Sequence, residues 1–328
     1  MNDLRFHSLI RGCLLALPLT LATLPAMAGK LYVSSEKDAT VSVFDSQSLA
    51  LKTRIKTGDK PRDLVFSQDH KKLYVACGDG NAINIIDVAQ DKVIGKLDVG
   101  TDPERFVFSP DGKTVWATNE ETAKVTASDV ATGKPIGSVD VGEEPEGILI
   151  TPDGKTVYAT SEVANIVHVI DAASKTLRDN IAVGNRPRRL ALSPNGAELW
   201  VSNELSGSVS IVDTRKNAVQ GEVKFQPKGF RPEDVTPVGI VMTRDGSTAY
   251  VTLGRANHVA RVDVKTRTVK DYLLTGSRPW GIALSPDEKT LYVTNGQSDD
   301  MAVIDTASFK LRKAISTGRV PYTVAVLE

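Results

Sequence analysis

Apolar and polar positions alternate along this chain in short runs, and the runs recur as a fixed phrase. An apolar residue and an aromatic one open a β-type run, a polar gap follows, and a second run closes on Asp. Seven copies are present, at 31–45 (LYVSSEKDATVSVFD), 73–87, 115–129, 157–171, 199–213, 249–263 and 291–305 (LYVTNGQSDDMAVID). Their starts lie 42 residues apart, except for one interval of 50. Period-two alternation over such short runs predicts strands, not helices. The copy at 73–87 belongs to a longer unit. A short run from Pro61 to Ser67 precedes it, and another from Val93 to Val99 follows, each set off by a turn. Four short antiparallel strands at a period near 40 residues define one blade of an all-β, seven-bladed β-propeller.

The turns carry their own chemistry. Ser109-Pro110-Asp111-Gly112 and Thr151-Pro152-Asp153-Gly154 place Pro where φ is preset and Gly where φ must be positive. No helix follows them, so they are hairpin turns and not phosphate cradles. The strand-ending aspartates, Asp45 through Asp305, are expected to cap turns by accepting backbone N–H groups. The recurrent aromatics Tyr32, Tyr74, Trp116, Tyr158, Trp200, Tyr250 and Tyr292 are expected to pack between blades.

The array begins at the second strand of a blade. Its end, Pro321-Tyr322-Thr323-Val324-Ala325-Val326-Leu327, matches a first strand. The C-terminal segment is therefore expected to pair with the N-terminal three strands and complete the seventh blade, which removes two open edges. Residues 1–28 lie outside the array. Arg5 and Arg11 precede an apolar stretch that is too short to span a bilayer and ends in Ala26-Met27-Ala28. This describes a secretory signal peptide cleaved after Ala28, and hence a periplasmic mature chain of residues 29–328 as a single propeller domain.

Composition narrows the chemistry. Forty basic side chains balance forty acidic ones, which disfavours nucleic acid as a partner. Beyond the leader one cysteine remains, Cys77, so no internal disulfide is available. His70, His168 and His258 fall in different blades without metal-ligand spacing. No P-loop, dinucleotide fingerprint, nucleophile elbow or haem-attachment motif occurs, so no cofactor is indicated.

Candidate site residues come from the blade links. Each link ends in Pro at the start of an innermost strand, and the residue after it should stand at the channel mouth. These are Arg62, Glu104, Glu146, Arg188, Val238, Trp280 and Tyr322, with Asp63, Arg105 and Arg189 adjacent. They vary from blade to blade while the strands and turns repeat. Packing needs are the same in every blade, whereas a ligand is not seven-fold symmetric. The expected binding set is Arg62, Glu104, Arg105, Glu146, Arg188, Arg189, Arg255, Trp280 and Tyr322; the alternative is a set of solvated charges. Glutamates from Glu104 to Glu146 crowd the second and third blades and arginines from Arg186 to Arg278 the fourth to sixth, suggesting an acidic half facing a basic half. The longer interval reflects an insertion at 225–237 (FQPKGFRPEDVTP), either a flap or a tolerated surface loop.

The strings YVACG, WATNE, VSNE and YVTNG resemble the YVTN-type propeller repeat, and LYVTN at 291–295 carries its core letter for letter. Seven such repeats behind a leader are most similar to the periplasmic propellers associated with pyrroloquinoline-quinone-dependent alcohol catabolism. That resemblance implies a non-catalytic accessory protein. Its partner would be a quinoprotein dehydrogenase, an ABC transport component or a small molecule. Two other readings stay open. One is a metal-dependent enzyme of the propeller-lactonase type using Glu104, Glu146, Asn119 and His258. The other is a single-stranded DNA binder.

Overall fold

A computed structural model describes residues 29–327; the expected leader at 1–28 lies outside them. The described residues form seven four-stranded antiparallel sheets. Blade 1 comprises strands Pro61–Phe66, Lys72–Cys77, Ala82–Asp87 and Lys92–Leu97. Blades 2 to 6 repeat this order from Pro103, Pro145, Pro187, Pro237 and Pro279. Blade 7 joins Pro321–Leu327 to Lys30–Ser35, Thr40–Asp45 and Leu51–Lys56. The closing register pairs Val33 with Val324 and Tyr32 with Ala325, as the strand count requires. No described helix is long and apolar enough to cross a membrane.

The hydrophobic core is a set of layers between blades. One layer takes Tyr74, Ala76, Ile83 and Leu97 from blade 1 and Phe106, Val115 and Ala117 from blade 2. The recurrent aromatics are the wedges of these layers: all seven are buried. Tyr32 meets Phe66 edge-on at 5.7 Å and Tyr74 meets Phe108 at 4.7 Å, each across a blade boundary. The strand-ending aspartates are turn caps, as expected; Asp45 accepts the Ser48 amide at 2.8 Å and Asp305 that of Ser308 at 2.8 Å.

A second device fastens blade to blade. In the second strand a Ser or Thr hydroxyl donates to the carbonyl of the first axial residue of the next blade. Thr118 reaches Glu146 O at 2.9 Å, Thr160 reaches Arg188 O at 3.2 Å and Thr294 reaches Tyr322 O at 2.9 Å. Ser34, Ser202 and Thr252 do the same to Arg62, Val238 and Trp280. The same hydroxyls accept an amide from their own innermost strand, as Thr160 does from Gly147 at 2.7 Å. This is the physical role of the threonine in the YVTN phrase. Blade 1 has Ala76 at that position. There the Asp63 carboxylate takes over, accepting the Phe106 amide at 3.3 Å and pairing with Arg105 at 3.1 Å.

The insertion at 225–237 is pinned at both ends, with Phe225 and Val235 buried. Its amide at Gln226 donates to the Tyr272 hydroxyl at 2.8 Å, and Phe230 packs edge-on against His258. Only its middle is exposed, which makes it an anchored loop beside blades 4 and 5.

Deleting 321–328 should remove cooperative unfolding of the entire ring and not merely fray one blade, because it exposes the inner edge of Lys30–Ser35 and the layer beneath Tyr32. Thermal unfolding followed by circular dichroism checks this; an unchanged midpoint refutes it.

Candidate functional site at the channel mouth

Blade geometry brings three rings of side chains to one face. The axial ring is the residue after each innermost-strand Pro. The gap ring is the residue after each second strand: Glu36, Gly78, Glu120, Glu162, Glu204, Gly254 and Gly296. The outer ring is the residue after that: Lys37, Asp79, Glu121, Val163, Leu205, Arg255 and Gln297. Links enter the axis through a left-handed residue, with Glu144 at φ 50° and Arg186 at φ 55°. Such conformations cost about 1–2 kcal/mol per residue. Here they recur in link after link, so they belong to the blade turn and present these side chains at the mouth.

The axis is closed by ion pairs. Arg62 contacts Glu104, reaches Glu36 at 2.9 Å and Glu120 at 3.1 Å, and lies over the Tyr322 ring. Arg188 bonds Glu162 and stands 3.4 Å from Glu146 and 3.7 Å from Glu204. Arg189 bonds Glu146 and donates to the Tyr322 hydroxyl at 2.5 Å. That hydroxyl donates to Glu104, with Glu146 at 3.2 Å. Contacts thus run across the channel from blade 4 through Tyr322 of blade 7 to blade 2. Arg278 pairs with Glu204 at 2.9 Å and lies over Trp280. Beneath this plug a cavity of about 80 Å³ is lined by Arg105, Arg189, Trp280 and the glycines Gly147, Gly239 and Gly281.

Electrostatics follow from burial and pairing. Burial alone would raise the Glu146 carboxyl, but Arg188, Arg189, Arg62 and Arg105 outweigh it and hold the group down at about 2. Burial pushes Glu162 up; Arg188 opposes this, the Glu146 charge adds to it, and the outcome is about 8. Two carboxyls that share Arg188 are therefore driven apart. Burial also lifts Tyr322 to about 12, which keeps its hydroxyl a donor.

Eight of the nine expected residues meet in or beside this plug. Arg255 does not: it is exposed on the outer ring and among the described residues makes no ion pair. The solvated-charge alternative fails, since Glu104 is 1% exposed, Glu146 3% and Arg188 7%. The acidic and basic halves do not face each other as blocks either. Glutamates and arginines interleave, because an unpaired charge cannot be buried there. Of the lactonase-type candidates, Glu104 and Glu146 are axial, while the other two are not. Asn119 spends its amide on Val99 O and Thr101 O, a structural task. His258 packs between Phe230 and Tyr272. Among the described residues no three His, Cys, Asp or Glu side chains converge as a metal site. The axial carboxylates face guanidinium groups instead, so the residues do not fit a metal centre. Cys77 is buried, its thiol pushed up to about 11 by burial. Sequence reasoning missed Glu36, Glu162 and Glu204. Their signal is the gap-ring position itself, which is always Glu or Gly.

On the face of the plug lies a recess of about 430 Å³ between blades 3 and 4, lined by Glu144, Glu162, Val163, Asn165, Asn185, Arg186 and Leu205. Arg186 spans it, 2.7 Å from Glu162 and 3.9 Å from Glu144. Recesses of about 280–350 Å³ on the opposite face, such as that around Pro110 and Asp153, recur between successive turns and reflect blade spacing.

Fold and site define a seven-bladed propeller with an ion-paired axis. The chain belongs to the seven-bladed β-propeller lactonase family, whose sequence model matches residues 92–226 and 172–328, well over half its length. No functionally curated protein matches it. Solved structures share the fold. Hydrazine synthase of Kuenenia stuttgartiensis superposes with TM-score 0.77 at 21% identity, over 85% of this chain and 92% of that one. The periplasmic gluconolactonase of Pseudomonas aeruginosa gives 0.77 at 20%, over 92% and 99%. A protein from Lactobacillus plantarum gives 0.78 at 20%, over 92% and 99%. The family match overturns the reading as a non-catalytic accessory of quinone-dependent catabolism. The strings that suggested it are the blade's own fastening chemistry.

Replacing Glu146 with Gln should cost about 3–5 kcal/mol, because it leaves Arg188 and Arg189 short of a buried counter-charge. The carboxyl is depressed in the fold, so its stabilisation is present above its ordinary value and lost as pH falls toward about 2. The variant should therefore show a shallower loss of stability over that acid range. Urea unfolding at several pH values measures both effects.

Proposed function

We propose that this protein hydrolyses lactones, in the periplasm, at the recess between blades 3 and 4. The observation that carries the reading is the carboxyl pair Glu144 and Glu162 flanking Arg186, in a chain of the lactonase family. Lactone opening needs an acceptor for a proton of the attacking water, a positive group at the carbonyl oxygen, and a proton for the departing ring oxygen. Glu144 lies at the solvent side and takes the water proton. Arg186, partly exposed, holds the developing oxyanion. Burial, joined by the Glu146 charge, raises the Glu162 carboxyl to about 8 against the pull of Arg188 and Arg186, and this acid delivers its proton to the ring oxygen. The new bond joins water oxygen to the carbonyl carbon and the ring C–O bond breaks. The product is an open-chain hydroxy acid, and a proton passes from Glu144 back to Glu162 or to solvent. Glu146 and Arg188 act through Glu162 as positioning groups. The periplasmic location is supported by the leader-like segment at 1–28 and by the periplasmic gluconolactonase that shares this fold.

Glucono-δ-lactone hydrolysis, followed by acid release and corrected for spontaneous opening, tests the reading. Activity should hold at neutral pH and decline as pH rises through about 8, where Glu162 loses its proton. Glu162→Gln should lower kcat by about 10²–10⁴. A catalytic rate indistinguishable from background in the intact protein, with this lactone and with γ-butyrolactone, overturns it.

A further inference from the structure

The outer ring is polar in five blades, where it carries Lys37, Asp79, Glu121, Arg255 and Gln297, all exposed. In blades 3 and 4 it carries Val163 and Leu205, each 54% exposed. These two side chains border the same recess as Glu162, Glu144 and Arg186. Packing does not explain them, for the equivalent positions elsewhere are charged or amide side chains at the same turn. The other exposed large aliphatics among the described residues, such as Leu51, Ile94 and Leu274, lie along the outermost strands of the blades, whereas this pair alone among them borders a recess. Their placement on either side of a carboxyl-lined recess is what a ligand with one polar and one hydrocarbon end requires. The recess, about 430 Å³, falls within the usual range of small-molecule sites, about 300–1,000 Å³.

We infer that Val163 and Leu205 form a hydrocarbon subsite, and that the substrates of the recess are lactones bearing an alkyl chain and not bare polyhydroxylated rings. This rests on the lactonase reading above. The lactone head lies at Arg186, between Glu144 and Glu162, and the chain leaves the recess between the two aliphatic side chains. Its outer carbons lie on the rim, so discrimination comes from the first few methylenes.

The test compares kcat/KM for γ-butyrolactone and for γ-lactones with butyl, hexyl and octyl chains, with glucono-δ-lactone alongside. Each methylene covered by the aliphatic pair should raise kcat/KM by about fourfold, mainly through KM, until the chain outruns the pair. The double variant Val163→Ser, Leu205→Ser should collapse the ratio of octyl lactone to γ-butyrolactone at least tenfold, with an unchanged circular dichroism melt. A non-hydrolysable γ-octyl-γ-lactam, titrated calorimetrically, reads binding without turnover. It should bind the parent protein and lose affinity by a similar factor in the double variant. Glu162-dependent hydrolysis of gluconolactone with no gain from alkyl chains sinks the subsite and leaves the lactonase reading standing. Lactam binding that depends on Val163 and Leu205, without hydrolysis of any lactone, does the reverse. A lactam that does not bind, together with a flat chain-length series, overturns the subsite outright.

Discussion

The buried charges at the axis must cancel one another, and the rest of the mouth is arranged around that requirement. A guanidinium taken out of water costs several kcal/mol unless a carboxylate meets it in good geometry. Arg62, Arg188 and Arg189 are each met by a buried Glu, Glu104 for the first and Glu146 for the other two, and Tyr322 supplies a hydroxyl where two carboxylates and an arginine would otherwise compete. The partners sit on different blades. The ion pairs need neighbouring blades in register, and the Tyr322 contacts to Arg189 and Glu104 form only when the ring is closed, so the plug converts correct closure into electrostatic stability. The reverse also holds: an open or slipped ring would strand several charges at once.

Two kinds of position therefore coexist in every blade. Strands, turn caps, aromatic wedges and the interblade hydroxyl serve a local need that is identical seven times, and they repeat. Axial and outer-ring residues serve a need that exists once per molecule, and they do not, while the gap ring is confined to Glu and Gly. Where a repeated position breaks, a neighbour compensates. Ala76 lacks the fastening hydroxyl, and Asp63 on the adjacent strand ties blade 1 to blade 2 in another way, accepting the Phe106 amide and holding Arg105.

This division explains what could be read from the chain before its structure. The period, the four strands per unit and the closing strand at Pro321–Leu327 were legible because each is a local pattern at fixed spacing. The placing of Arg62, Glu104, Glu146, Arg188, Trp280 and Tyr322 at the axis was legible because Pro marks the strand start. The pairing was not. Arg189 and Tyr322 are 133 residues apart and Glu104 and Tyr322 are 218 apart, and no local pattern joins them. Arg255 was grouped with the axial set by charge alone, although its ring position puts it on the rim. Glu162 went unread because a Glu beginning a polar gap looks like any solvated turn residue. Its burial comes from Arg188 and Arg186 closing over it from the next blade and its link. The accessory reading leaned on repeat strings whose letters encode fastening, so they carried fold and not function.

A plug this well neutralised has little left to offer a substrate. Its carboxylates already hold guanidinium partners, and its arginines already hold carboxylates. The proposed chemistry lies where the plug meets open surface. Glu162 is such a point: it bonds Arg188 on the axial side and Arg186 on the recess side. Burial raises its carboxyl, Arg188 opposes this, and the neighbouring Glu146 charge adds to it. In the proposed reaction Arg188 and the Glu146 charge bear on the carboxyl of Glu162, which lines the recess, without either touching the lactone.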